Sequence, residues 1–92
     1  MKQCVKMHVT GKVQGVGFRD FAQKQAQILQ IEGAIQNVDN GEVSILACGS
    51  SSNLDTFIEQ MYKGSPASKV LNVAVEPFLN NKDFRGVFRI IR

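Results

Sequence analysis

The segment Gly11–Arg19, GKVQGVGFR, is the stretch of this 92-residue chain best suited to chemistry. Three glycines in seven residues make Gly11–Gly17 a loop, and Phe18 opens a helical stripe directly after it. A glycine-rich turn running into a helix leaves several N–H groups without helical acceptors. Those donors, with the positive end of the helix dipole, favour a phosphate or another anion. Arg19 sharpens that reading. A cation in the first turn opposes the dipole, and an anion held between amides and guanidinium removes the conflict. The alternative is an ordinary helix-entry loop with a solvated Arg19.

Familiar phosphate motifs do not fit the segment. A Walker A loop needs Gly, four residues and then Gly-Lys-Ser/Thr, but counting from Gly11 reaches Val16. The dinucleotide fingerprint fails because Gly15-x-Gly17 is followed by Phe18, Arg19 and Asp20, with no third glycine. A cysteine-dependent phosphatase would place Arg six residues after its nucleophile, where Cys4 and Cys48 are followed by Thr10 and Leu54. Cys4, Cys48 and the single His8 cannot supply the four Cys and His ligands of a structural zinc site, so no metal site is expected.

The surrounding residues must position the loop. Cys4–Thr10 alternates, with Val5, Met7 and Val9 on one face and Cys4, Lys6, His8 and Thr10 on the other, which predicts a half-buried strand. Phe18, Phe21, Ala22, Ala26 and Leu29 have helical spacing, and Gly33 punctuates the chain beyond them. Ala34–Val38 and Glu42–Cys48 read as strands around an Asp39-Asn40-Gly41 turn. Ser52 with Asp55 resembles a capping box, and Leu54, Phe57, Ile58, Met61 and Tyr62 give the stripe of a second helix, closed by Gly64-Ser65-Pro66. Val70–Glu76, with Leu71, Val73 and Val75 on one face, and Phe84–Arg92 read as strands. Pro77–Asp83 between them reads as a loop with a mobile tip. The order predicts an α+β, ferredoxin-like β-α-β-β-α-β sandwich with a final strand appended. Its sheet would be mostly antiparallel, four- to five-stranded, with both helices on one face.

Composition bounds the rest. Ninety-two residues make one domain, 1–92, and 43% apolar with 21% charged residues is ordinary for a folded protein rather than a disordered one. No apolar run approaches the ~20 residues of a membrane span, and MKQCVKMHVTGK has no signal-peptide core. A cytoplasmic monomer without a membrane partner is the expectation. The net charge of +3 is scattered, with one local excess at Arg85, Arg89 and Arg92, so charge does not indicate nucleic acid.

Two motifs then carry a family resemblance. Val9-x-Gly11-x-Val13-Gln14-Gly15-Val16-x-Phe18-Arg19 resembles the first signature of the acylphosphatases. Asn37, Gly41, Val43 and Gly49 match the second, in the expected order and spacing. Ala34 stands where the family usually has an aromatic residue, Ile35 replaces a smaller one, and Gly64–Val70 carries one Pro where relatives often have two. These departures touch local packing more than chemistry.

The resemblance implies a metal-independent hydrolase without a cofactor that converts an acyl phosphate and water to carboxylate and phosphate. By motif, the substrate's phosphoryl group would lie against Gln14, Gly15, Val16, Gly17, Phe18 and Arg19, and Asn37 would orient the attacking water. Inorganic phosphate would be product and competitive inhibitor. Phosphoryl transfer is largely positioning and electrostatic stabilisation. A planar Arg fork therefore suits the task better than Lys. Asn37 has no useful proton affinity, so its role is orientation. The proton leaves late, to a phosphate oxygen, and the carboxylate departs without a strong general acid. In this fold the strands of Cys4 and Cys48 are antiparallel neighbours, so a disulfide is geometrically possible, while two thiols are the default of a reducing cytosol.

Rival readings are binding modules. One is a non-catalytic anion- or RNA-binding ferredoxin-like module, since Arg85-Gly86-Val87-Phe88-Arg89-Ile90 resembles the basic-Gly-aromatic strand of RNA-binding domains. It lacks a partner aromatic motif on the first strand. A small-molecule sensor or carbamoyl-phosphate-handling module is another. The physiological acyl phosphate is not readable from the sequence.

Overall fold

Alternation decides which face of the sheet is dry. Met7 and Val9 on β1 (Gln3–Lys12), Ile35 on β2 (Glu32–Asn37), and Val43, Ile45 and Ala47 on β3 (Val43–Gly49) are all fully buried. They join one core with Phe18, Ala22 and Ala26 of α1 (Phe18–Ile28) and Leu54, Phe57 and Met61 of α2 (Ser51–Lys63). A computed structural model describes residues 2–79 and 83–92. Its five strands, completed by β4 (Lys69–Pro77) and β5 (Phe88–Ile91), run in the order β4-β1-β3-β2-β5, and only β5 pairs in parallel, with β2. The helices share one apolar core on one face, as a ferredoxin-like α+β sandwich requires. The other face carries the rows Ala74, His8, Ser44, Gln36, Ile91 and Glu76, Lys6, Leu46, Ala34, Arg89.

Several local expectations are corrected. Gly11 belongs to β1, where a bulge pairs Thr10 with Asn72 but Gly11 with Val70. Leu71 is the extra residue, and the slip turns Val70 toward the core and leaves Leu71 72% exposed, so Leu71, Val73 and Val75 do not share a buried face. Gly33 does not end an element but pairs within β2 at φ 149°, where a Cβ would meet the Leu46 carbonyl oxygen at 1.8 Å. Ser50, not Ser52, caps α2: its side chain accepts from the Asn53 N–H at 3.2 Å. Tyr62 leaves the core stripe and donates its hydroxyl to the Val73 carbonyl at 3.0 Å.

The last strand is shorter than the predicted Phe84–Arg92. Arg85 and Gly86 both have positive φ, and the Val87 N–H returns to the Phe84 carbonyl, so 84–87 is a turn and β5 begins at Phe88. The expected mobility of the preceding loop concerns residues 80–82, which lie outside the described residues. Cys4 and Cys48 face each other across β1 and β3 and are joined by a disulfide, with Cα atoms 4.1 Å apart. Among the described residues no helix is long and apolar enough to cross a membrane.

Candidate active site

β1, β2 and β5 all point their C-terminal ends to the same edge of the sheet, and α1 starts there. Val13 and Phe18, both 1% exposed, pin the two ends of the connecting loop into the core. Between them the chain turns twice through the left-handed region, at Gly15 (φ 71°) and Gly17 (φ 76°). No atom would obstruct a Cβ at either glycine, so the requirement there is backbone conformation rather than space. Gly17 is the N-cap of α1 and provides no side-chain cap, and the first helical bond runs from the Phe21 N–H to the Gly17 carbonyl. The amides of Phe18, Arg19 and Asp20 therefore have no helical acceptor and no capping side chain.

Two tethers hold this loop in place. The Gln14 side-chain amide donates both Nε2 hydrogens, to the carbonyls of Val38 and Glu42, at 2.8 Å each. The Gln14 side chain is thus occupied in joining the loop to the β2–β3 turn and is not free to meet a substrate. Ser65, 5% exposed, donates its hydroxyl to the Val16 carbonyl at 3.0 Å, while the Val16 side chain packs on the core. Neither tether is announced by a motif; each depends on which loops the fold brings together.

A cavity of about 100 Å³ opens at this edge, lined by Gly15, Gly17, Phe18 and Arg19, with Val13, Asp20 and Arg92 completing the wall. That volume suits a small ion rather than an organic ligand, whose pockets run to about 300–1,000 Å³. Arg19, the α1 N-terminus and Arg92 bring positive charge to the cavity, and among the described residues Asp20 is the one acidic side chain on its wall. Of the predicted residues, Gly15, Gly17, Phe18 and Arg19 line the cavity, while Gln14, Val16 and Asn37 do not. Asn37 ends β2, one residue before a carbonyl that holds Gln14. Its Oδ1 is buried and, among the described residues, has no hydrogen-bond partner. A buried amide oxygen in that state is an acceptor waiting for a donor.

The Asp39-Asn40-Gly41 turn beside Asn37 forms as predicted, with Asn40 at φ 71° and Gly41 at φ 79°. The Val38 N–H closes it onto the Glu42 carbonyl at 3.0 Å, and His8 Nε2 lies 2.7 Å from Glu42 Oε1. A larger cavity, about 750 Å³, lies at the opposite edge near Lys2, Cys4, Glu32 and Phe78. It lacks a helix N-terminus and any of the predicted site residues except Cys4. Phe88, the aromatic of the RNA-like run, is 3% exposed and packs its ring 5.8 Å from Phe57, so it offers no surface on which a base could stack.

A sequence model of the acylphosphatase family matches residues 5–90. The chain belongs to that family. It is 42% identical over 74 residues to an acylphosphatase of Chromohalobacter salexigens, spanning 80% of this chain and 82% of that one. The crystal structure of an acylphosphatase from Bacillus subtilis superposes with a TM-score of 0.92 over the whole of both chains, at 37% identity. An acylphosphatase structure from Coxiella burnetii gives 0.90 at 33% identity, covering 98% of this chain and 93% of that one. The resemblance carried by the two sequence motifs is therefore correct. With the family comes its reaction, the hydrolysis of an acyl phosphate to a carboxylate and phosphate.

Proposed function

We propose that the phosphoryl group of the acyl phosphate is gripped by the backbone amides of Gln14–Arg19 and by the Arg19 guanidinium, and that Asn37 orients the attacking water. The observation that carries this reading is the ion-sized electropositive cavity at an α1 N-terminus that no side chain caps. Charge in a loose phosphoryl-transfer transition state spreads over three equatorial oxygens. Fixed amides and a planar guanidinium meet those oxygens without reorganising, which is the basis of electrostatic catalysis. Asn37 Oδ1 accepts a hydrogen from the water and aims its oxygen at phosphorus. It takes no proton. The proton passes to a phosphate oxygen after the P–O bond to the carboxylate has largely broken, so neither a metal nor a strong acid is needed. The protein acts in this reading as a cytoplasmic monomer, free of nucleic acid and membrane.

Hydrolysis of acetyl phosphate in excess chelator tests the proposal. The expected result is turnover without metal, competitive inhibition by inorganic phosphate, and loss of both phosphate binding and turnover in Arg19→Gln. Turnover that vanishes in chelator, or that survives intact in Arg19→Gln, overturns it.

A further inference from the structure

We infer that Arg92 is a second guanidinium of the phosphate site, contacting the phosphoryl group from the strand side while Arg19 holds it from the helix side; this rests on the reading above. Two independent observations converge on Arg92. It lines the same small cavity as Arg19, Gly15 and Gly17. The parallel register of β2 and β5 ends at Gln36 opposite Ile91, so Asn37 and Arg92 each directly follow the last paired residue of two neighbouring strands. Carried one residue beyond the end of β5, its alternation puts Arg92 on the side of Phe88 and Ile90, which pack into the core, and not on the side of Ile91, which is 46% exposed. The other tail arginines lie elsewhere: Arg89 pairs with Ala34 in a row of the helix-free face, and Arg85 lies in the turn before β5.

The charges explain why such an arrangement would be kept. Arg19, Arg92 and the positive end of α1 converge on about 100 Å³ where, among the described residues, Asp20 is the one acidic side chain, so the three repel one another. A phosphate dianion adds an attraction to each of these positive groups, and those attractions offset their mutual repulsion. Arg92 is exposed, so water and salt screen it and its share is moderate, about a tenfold change in affinity rather than the collapse expected for Arg19. It grips the phosphoryl group similarly in substrate and transition state, which lowers KM and leaves kcat nearly unchanged.

The test is titration of inorganic phosphate into the wild-type protein, Arg92→Gln, Arg92→Lys and Arg19→Gln at low salt, beside steady-state kinetics on acetyl phosphate. Arg92→Gln is expected to weaken phosphate about tenfold and raise KM by a similar factor, with kcat within about threefold and an unchanged Tm. Arg92→Lys keeps the charge and recovers part of the affinity, and added salt narrows the gap between wild type and Arg92→Gln. If wild type binds phosphate and Arg92→Gln binds it within about twofold, the inference falls while the loop reading stands. If wild type binds no phosphate, the loop reading falls and takes the role of Arg92 with it.

Discussion

Replacing Gln14 probes the joint between the loop and the strand end that carries Asn37. In Gln14→Ala two hydrogen bonds, to the carbonyls of Val38 and Glu42, disappear together. Each has a net value of about 0.5–1.5 kcal/mol, and the half-exposed setting lets water recover part, so the loss is about 1–2 kcal/mol. For a domain of this size that is a fall in Tm of roughly 5–15 °C. Gln14→Glu keeps the shape but points carboxylate oxygens at two carbonyl oxygens. It is expected to be less stable than Gln14→Ala, an order that side-chain size would not produce. Asn37 sits next to Val38, so either change is expected to loosen the amide proposed to orient the water while the loop's backbone donors persist. The signature is a fall in kcat of about tenfold or more with little change in KM. Thermal denaturation and steady-state kinetics on acetyl phosphate read both effects. A Tm for Gln14→Ala within about 1–2 °C of wild type, with Gln14→Glu no worse, would refute the tether.

Other perturbations separate chemistry from scaffold. Asn37→Ala should cut kcat about a hundredfold with a small effect on KM, yet leave Tm unchanged or slightly higher, because it removes a buried oxygen that lacks a partner. Full turnover in that variant would end the water-orienting role. Gly33→Ala places a methyl against the Leu46 carbonyl oxygen and should cost about 3 kcal/mol or more, read as lost folding cooperativity or a sharply lowered urea midpoint. Reducing Cys4–Cys48, which spans a sequence separation of 44, should lower stability by about 2–4 kcal/mol in urea titration. The bond lies at the sheet edge opposite the cavity, so kcat should not change while the protein remains folded; an unchanged urea midpoint with two titratable thiols would reject the prediction.

What the sequence made legible was set by local rules. The apolar spacing of Phe18, Ala22 and Ala26 and of Leu54, Phe57 and Met61 gives both helices, because period 3.6 needs no partner to be read. Asn40 and Gly41 give the turn because few residues accept positive φ. The errors are non-local. Gly11 and Leu71 look like loop and core until β4 pairs with β1 and the bulge between them is fixed. Gly33 reads as punctuation, yet its lack of a side chain answers a carbonyl on a neighbouring strand. The site divides in the same way. The glycine loop and Arg19 are contiguous and could be found from helix-terminus physics, whereas Asn37 stood out only through the family motif. Gln14 as a tether, Ser65 beneath Val16 and Arg92 on the cavity wall depend on chain segments distant in sequence, and no local signal marks them.

The most direct test of the account is a titration of the isotopically labelled protein with inorganic phosphate, followed at each backbone amide by NMR. Saturable shifts centred on the amides of 14–19, with the Asn37 side-chain amide and the Arg19 guanidinium responding in parallel, are the predicted result. Shifts confined to the opposite edge around Lys2 and Glu32, or none at phosphate concentrations that inhibit turnover, would contradict it.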